Sequence, residues 1–400
     1  MPSEHLEKIF HDVYHRKVEL LLNGLRLTQQ FIDEIRNYTP NFYRGRKGGA
    51  GPAGGRYFFF KETGSVVNVA LWGPQSEHSY LELIGILGKN NNNLEYITCK
   101  IQNAQSKNSY SVDLIPIPTN YNEKRNLNSS FNKQIALIHG TSCLASTIIQ
   151  KCRYWGEKTA CAFCGIEYSL QEGATIEKKS SEQLIRAIRD ARKFSLCNHI
   201  TLTMGTLSKP DKGAENYIEI VSSIKKKYPN LPIHIQIEPF DDIDKLFILK
   251  KVGVDTIGVH LEIPNDQLRK NYCPGKSETS RSTYEKFWKK CIEIFGRGQV
   301  STFVLLGFGE NNQETIRYNT KLIKMGVIPN IMPVRYIMGT NLEYKPISLA
   351  NLIEIYDSAA ESLLNYQLDP HLNKAGCIRC MGCSAIIDAY DYHKVRHQNK

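Results

Sequence analysis

The chain has 400 residues, a formal net charge of +11 and a hydrophobic share of 41%, ample for one large core plus an appended domain. Met1–Phe10 mixes acidic, basic and apolar residues, and no apolar run reaches the length of a membrane span, so a secretory leader and a membrane protein are both disfavoured. The eleven cysteines are then expected to be reduced, in a cytoplasm, and available to metal rather than tied in disulfides.

Taken in order, the chain opens with two helical segments, near Glu4–Leu22 and Thr28–Tyr38. A glycine-rich stretch follows, in which Gly48, Gly49 and Gly51 are flanked by Arg44, Arg46 and Lys47. Its backbone N–H groups could cradle an anion, or it could be a tight surface turn. Strand-like runs at Tyr57–Phe60 and Val66–Leu71 and a low-complexity loop at Asn90–Asn93 complete an α+β domain over about residues 1–130.

From Gln134 the pattern changes. Short β-like runs (Gln134–His139, His199–Met204, Ile233–Glu238, Thr256–Glu262, Val300–Leu306 and Asn330–Ile337) alternate with amphipathic helices. The helices are Ser181–Phe194, Ala214–Tyr228, Asp241–Val252, Ser280–Phe295 and Gln313–Met325. Ser181 and Asp241 are the expected N-caps, and Gly253 and Gly326 the expected stops. The alternation predicts βαβ units, a parallel sheet and an α/β fold, a partial or complete (β/α) barrel over residues 131–346. A last helix, Leu349–Leu364, leads into a C-terminal extension over 347–400.

Two cysteine clusters stand out: Cys152, Cys161 and Cys164 after the first barrel run, and Cys377, Cys380 and Cys383 near the C-terminus. Two residues between cysteines let both sulfurs reach one ion or cluster. Three ligands leave a position open, which is the logic of a reactive centre. Cys99, Cys197 and Cys291 read as packing residues. Cys143 and Cys273 fall in loops near the mouth and are not counted among the ligands.

Buried parallel strands normally read as continuous apolar runs. Here they carry polar residues two apart, on one face, near their C-terminal ends: Thr201, Thr203 and Gly205; Gln236 and Glu238; His260 and Glu262; and Arg335 on the last run. In (β/α) barrels such positions bind or catalyse. Each alone could equally belong to an internal hydrogen-bond network, but the set points to a site. Glu238, Glu262, Arg335 and His260 are its candidate catalytic residues. The fifth run ends in Gly307-Phe308-Gly309-Glu310, where glycines let backbone approach a ligand.

Together these residues resemble the radical S-adenosylmethionine (radical SAM) superfamily. The resemblance implies that Cys152, Cys161 and Cys164 hold a 4Fe-4S cluster whose open iron binds S-adenosylmethionine, which is cleaved to a 5′-deoxyadenosyl radical. It places Phe163 near the adenine, Gly205 and Thr206 at the methionyl amino group, and Gly307, Gly309 and Glu310 near the adenine. Gly339-Thr340-Asn341-Leu342 resembles a loop of biotin-synthase-like members. The first cysteine gap is eight residues where the common pattern has three; longer first gaps occur in the superfamily. A closer resemblance, to the uncharacterised radical SAM family encoded with bacterial nitrilase clusters, rests on several segments. They are Arg46–Pro52, the cysteine loop, Pro274-Gly275-Lys276, Phe295–Thr302 and Ala375–Ser384.

The resemblance also implies a reductant of the flavodoxin or ferredoxin type and a small-molecule substrate, for which a basic mouth would suit an anion. Cys377, Cys380 and Cys383 would hold a second iron–sulfur cluster near the mouth. Ser384, Cys143, a more distant residue or substrate would complete it, and sulfur insertion of the lipoyl- or biotin-synthase kind comes into view. The alternative for this triplet is structural zinc with His371 or His393. At the level of function, the rivals are a tRNA-modifying radical SAM enzyme, prompted by the basic charge, and a non-catalytic zinc protein. The lysine runs Lys225–Lys227 and Lys250–Lys251 sit on outer helix faces, which weighs against a nucleic-acid channel.

Overall fold

A computed structural model describes residues 2–38, 46–51, 55–90, 96–115, 133–156, 158–343 and 345–399. Two sheets organise it. The N-terminal sheet holds β1 (Arg26–Leu27), β2 (Gly55–Phe60), β3 (Ser65–Ala70), β4 (Leu81–Asn90), β5 (Tyr96–Asn103) and β6 (Ser109–Leu114), in the order β1-β4-β5-β6-β2-β3. Apart from the short parallel β1–β4 contact, its pairs are antiparallel. The expected boundary at 130, and Asn91–Asn93, lie outside the described residues.

The second sheet carries β7 (Leu137–His139), β8 (Cys143–Thr147), β9 (His199–Thr203), β10 (Ile233–Gln236), β11 (Thr256–Gly258), β12 (Val300–Leu306) and β13 (Val327–Pro333). They run in sequence order across the sheet, and from β8 to β13 every pair is parallel. The edges β7 and β13 are not paired with each other, so the architecture is a partial (β/α) barrel. Helices cover its outer face because their apolar residues recur at helical spacing. In helix Ser181–Arg192 these are Leu184, Ala187, Ile188 and Ala191, all buried.

Two strand expectations are corrected. The first parallel strand is Cys143–Thr147; the run ending at His139 is an antiparallel edge folded back on it. The last strand begins at Val327 and ends at Pro333, so Arg335 lies beyond it. The caps differ as well. Ser180, not Ser181, makes a reciprocal capping box with Gln183. Asp241 precedes a helix that starts at Asp244 with no side-chain cap. Gly326, at φ 108°, ends its helix as expected.

The chain's two ends meet. The first helix, Pro2–Asn23, packs on β3 and on the last helix, Ile386–Gln398, which in turn packs on helix Leu349–Asn365. Lys17, from the first helix, bonds Asp388 and the Ser65 hydroxyl in a buried setting. Among the described residues, no helix is long and apolar enough to cross a membrane.

Candidate active site

The loop after β8 carries Cys152, Cys161 and Cys164 to the C-terminal end of the parallel strands. It lies against the loop after β9 because residue 205 is glycine: a Cβ there would stand 2.0 Å from the Lys151 carbonyl oxygen and 2.8 Å from Cys152 Cα. The loop is also tied to the segment after β11. Ala162 N–H donates to Tyr272 at 2.8 Å and Gly275 N–H to Thr159 at 3.2 Å. Gly275 is required at that contact, since a Cβ would meet the Tyr154 ring at 2.4 Å.

Under this loop is a cavity of about 310 Å³, lined by all three cysteines and by Phe163, Gly205, Thr206, Glu238, His260 and Glu262. Sequence-predicted residues from four separate segments therefore share one chamber. A second cleft of about 840 Å³ adjoins the other side of the loop and shares Cys161 and Cys164.

The chamber's polar core is an ion network. Lys276 Nζ lies 2.7 Å from Glu262 and 3.9 Å from Glu238. Burial alone would lower the Lys276 ammonium, but Glu262 and Glu238 outweigh it and hold it well above its ordinary value. Glu238 also accepts from the Tyr154 hydroxyl at 3.2 Å and from the Thr206 hydroxyl. Glu262 sits at φ 70°, a left-handed conformation that costs a non-glycine residue about 1–3 kcal/mol. Its Oε2 is buried without a partner. His260 stacks on Phe303 at 3.6 Å, and its Nδ1 accepts from the Phe303 N–H at 3.1 Å. Burial, Lys276 and His234 push its imidazole well below the usual range, so it is neutral. Lys276 and Tyr154 are site residues that sequence reasoning missed. The signal was there, in the Pro274-Gly275-Lys276 segment.

Not every candidate reaches this chamber. Gly307, Gly309 and Glu310 do not line it. The Glu310 carboxylate accepts the N–H groups of Gly307 and Phe308 at 2.8–3.1 Å and so shapes its own loop. That loop touches the chamber wall through Phe308, whose ring is 5.8 Å from Phe163. Arg335 is a clear departure. Shifted out of the strand, it turns to the N-terminal sheet and bonds the side chain and backbone oxygens of Asn68.

The glycine-rich stretch is neither a surface turn nor a free anion cradle. Lys47, Gly48, Gly49 and Gly51 form one wall of the chamber. The N–H groups of Gly48 and Ala50 are spent on Ser169 and Thr147, at 2.9 and 2.5 Å. Gly51 N–H bonds Gly49 at 2.8 Å.

The second cysteine triplet lies at the opposite end of the strands from the mouth. Asn373 and Lys374 bond Gly298 and Gln299, just before β12. Ala375 accepts from Thr256, the first residue of β11, and Gly376 donates to His199, the first of β9. The segment thus crosses the N-terminal ends of the strands. Cys377 then points inward and accepts from the Gln236 amide at 3.4 Å. Gln236 also lines the chamber, so one side chain bridges the two sites. The expected location at the mouth is corrected, and the two histidines offered as zinc partners are found bonded to carboxylates. His371 bonds Asp391, and His393 bonds Glu361 and Asp357.

Residues 156–318 match the radical SAM superfamily model. The match takes in Cys161 and Cys164 and begins after Cys152. The chain is 26% identical over 219 residues to a 5-amino-6-(D-ribitylamino)uracil–L-tyrosine 4-hydroxyphenyl transferase of Methanosarcina barkeri, covering 48% of this chain and 53% of that one. It is 25% identical over 232 residues to the bacteriochlorophyllide c C-7(1)-hydroxylase of Chlorobaculum limnaeum, covering 52% and 56%. Among solved structures, methylornithine synthase aligns with a TM-score of 0.47 at 17% identity, over 63% of this chain and 70% of that one. The chain spans about half the length of the curated relatives it matches. Residues 156–318 thus carry a radical SAM domain, which with the enzyme-named relatives supports an enzyme of that class. The superfamily implies a 4Fe-4S cluster and S-adenosylmethionine. The donor set at the mouth fits them: three soft thiolates beside an open chamber, with an orphaned carboxylate oxygen inside it.

Proposed function

We propose that Cys152, Cys161 and Cys164 hold the 4Fe-4S cluster and that a small-molecule substrate occupies the chamber above Glu238, Lys276 and Glu262. The observation that carries this is the convergence of the three thiols and the ion network on one cavity of about 310 Å³. When bound, and given one electron from a low-potential donor of the flavodoxin or ferredoxin type, the cluster would supply reductive cleavage of S-adenosylmethionine to methionine and a 5′-deoxyadenosyl radical able to take a hydrogen atom from substrate.

The chain's own residues prepare the chamber. Gly205 lets the cysteine loop close on the strand ends, and Thr206 beside it fits the methionyl part of the cofactor. Phe163 and Phe308 offer an aromatic corner for the adenine. Two buried carboxylates answered by one ammonium leave the core one negative charge in excess, which suits a sulfonium or ammonium group. An anionic part of a substrate would sit at the rim, toward Lys47, which pairs with Glu172 at 2.6 Å. A chamber of this size suits a small molecule better than an RNA strand. Cys377, Cys380 and Cys383 are the proposed ligands of a second iron–sulfur centre below it, reached through Gln236.

The test is anaerobic reconstitution followed by incubation with S-adenosylmethionine and reductant. The parent protein should release 5′-deoxyadenosine, and the Cys152/Cys161/Cys164 triple alanine variant should release none. Unchanged release from the triple variant would sink the assignment.

A further inference from the structure

The second triplet offers three thiols, and its completion decides what the site can do. Four candidates present themselves, and the structure commits three of them elsewhere. Ser384 Oγ accepts from the Ile386 N–H at 3.3 Å, at the start of the last helix. His371 and His393 are held by carboxylates. Cys143 remains. It opens β8 at the N-terminal end of the strands, the same end that the 372–383 segment crosses. It is buried, with its Sγ 3.4 Å from the Thr201 hydroxyl. Gly140, in the turn between β7 and β8, holds Cys380 close: a Cβ there would lie 3.6 Å from its Sγ.

We infer that Cys143 is the fourth ligand, so that Cys143, Cys377, Cys380 and Cys383 form one closed four-thiolate metal centre inside the N-terminal end of the barrel. Two further observations point to an occupant there. Tyr57 is 6% exposed, and its hydroxyl is buried without a hydrogen-bond partner. All four of these cysteines lie close enough to act on it electrostatically. Its phenolic O–H is a buried donor that a bound centre could satisfy. Arg335 is the second observation. Its hydrogen bonds go to the neutral oxygens of Asn68, and Cys383 and Tyr57 are the groups that act on its charge. A half-buried guanidinium without a carboxylate favours a counter-charge nearby, and a centre bound by four thiolates would supply it. Gln236, donating to Cys377, completes a set of donors aimed at sulfur.

The inference rests on the reading that the second triplet binds metal, and it narrows that reading. A site closed by four protein thiolates has no open position for substrate. That favours an electron relay or a structural centre over a substrate anchor or a sulfur donor.

The experiment isolates this site in the Cys152/Cys161/Cys164 triple alanine background. Iron, acid-labile sulfide, zinc and the electron paramagnetic resonance spectrum are measured on anaerobic protein, with and without Cys143→Ala. Cys99→Ala, which removes an equally buried thiol from the N-terminal sheet, controls for lost packing. Loss of the metal, or conversion of a four-iron to a three-iron signal, in the Cys143→Ala protein alone is the expected result. The same metal content and spectrum with and without Cys143 would overturn the inference. Zinc in the background protein, lost on Cys143→Ala, would keep Cys143 as ligand while removing the iron–sulfur reading of the triplet. Equal loss in the Cys99→Ala control would show that any buried cavity empties the site, and would overturn the ligand role.

Discussion

At the scale of single residues, Lys276 governs the chamber. Its ammonium lies between two carboxylates that are both nearly buried. Replacing it with methionine keeps the stem's volume and leaves both carboxylates unanswered. Breaking a buried pair by removing one partner costs about 3–5 kcal/mol. Lys276→Met should therefore lower the denaturant midpoint by a corresponding amount. Glu262→Gln in the same chain should return part of that loss, because it removes one of the stranded charges. A double-mutant cycle checks this; strictly additive losses would show that the two groups are not coupled. Arg335→Met should behave differently, loosening the contact with Asn68 and the second cysteine site while leaving the chamber's ion network intact.

At the scale of elements, two glycines seat the two cysteine segments. Gly205 permits the close pass over Cys152. Gly376, at φ 96°, lays the C-terminal segment on His234, where a Cβ would stand 2.4 Å from the ring. An alanine at positive φ costs more than about 1 kcal/mol before any overlap is counted. Gly205→Ala should lower iron bound at the first site, and Gly376→Ala should lower metal at the second, each measured per chain on anaerobic protein. Loss at the wrong site would refute the division of labour. These elements also show what sequence could reveal. Alternation of apolar runs and amphipathic helices exposed the parallel sheet, because burial on both faces imposes it. The polar pairs Gln236/Glu238 and His260/Glu262 were legible because they break that apolar rule. Arg335 was misplaced because the last strand starts three residues earlier than its apolar pattern implied, and a strand's end decides where the next side chain points. Lys276 was missed, and Cys143 was weighed but left out of the ligand set, for a different reason. One comes from a short helix after the strand and the other opens a strand behind a tight hairpin, so only the fold shows where they lie.

At the scale of the whole molecule, the barrel is closed off by parts distant in sequence. The first helix, β3 and the last helix meet at Lys17, Ser65 and Asp388. This junction stands behind the second cysteine site, since Asn68 on the same strand bonds both Gly382 and Arg335. Lys17 and Asp388 are both almost wholly buried, so their attraction must outweigh two desolvation costs. Such a pair adds little net stability compared with apolar residues that fill the same space, yet it is costly to break. Lys17→Met alone, or Asp388→Leu alone, should therefore destabilise the chain by about 3–5 kcal/mol, and the Lys17→Met/Asp388→Leu double variant should recover most of that loss. Denaturant unfolding of the four proteins measures it. If this junction also holds the C-terminal segment in place, the single variants should lose metal from the second site before the first, and the double variant should regain it. Single variants as stable as the parent would show that the N-terminal sheet and the last helix are held together by apolar packing alone.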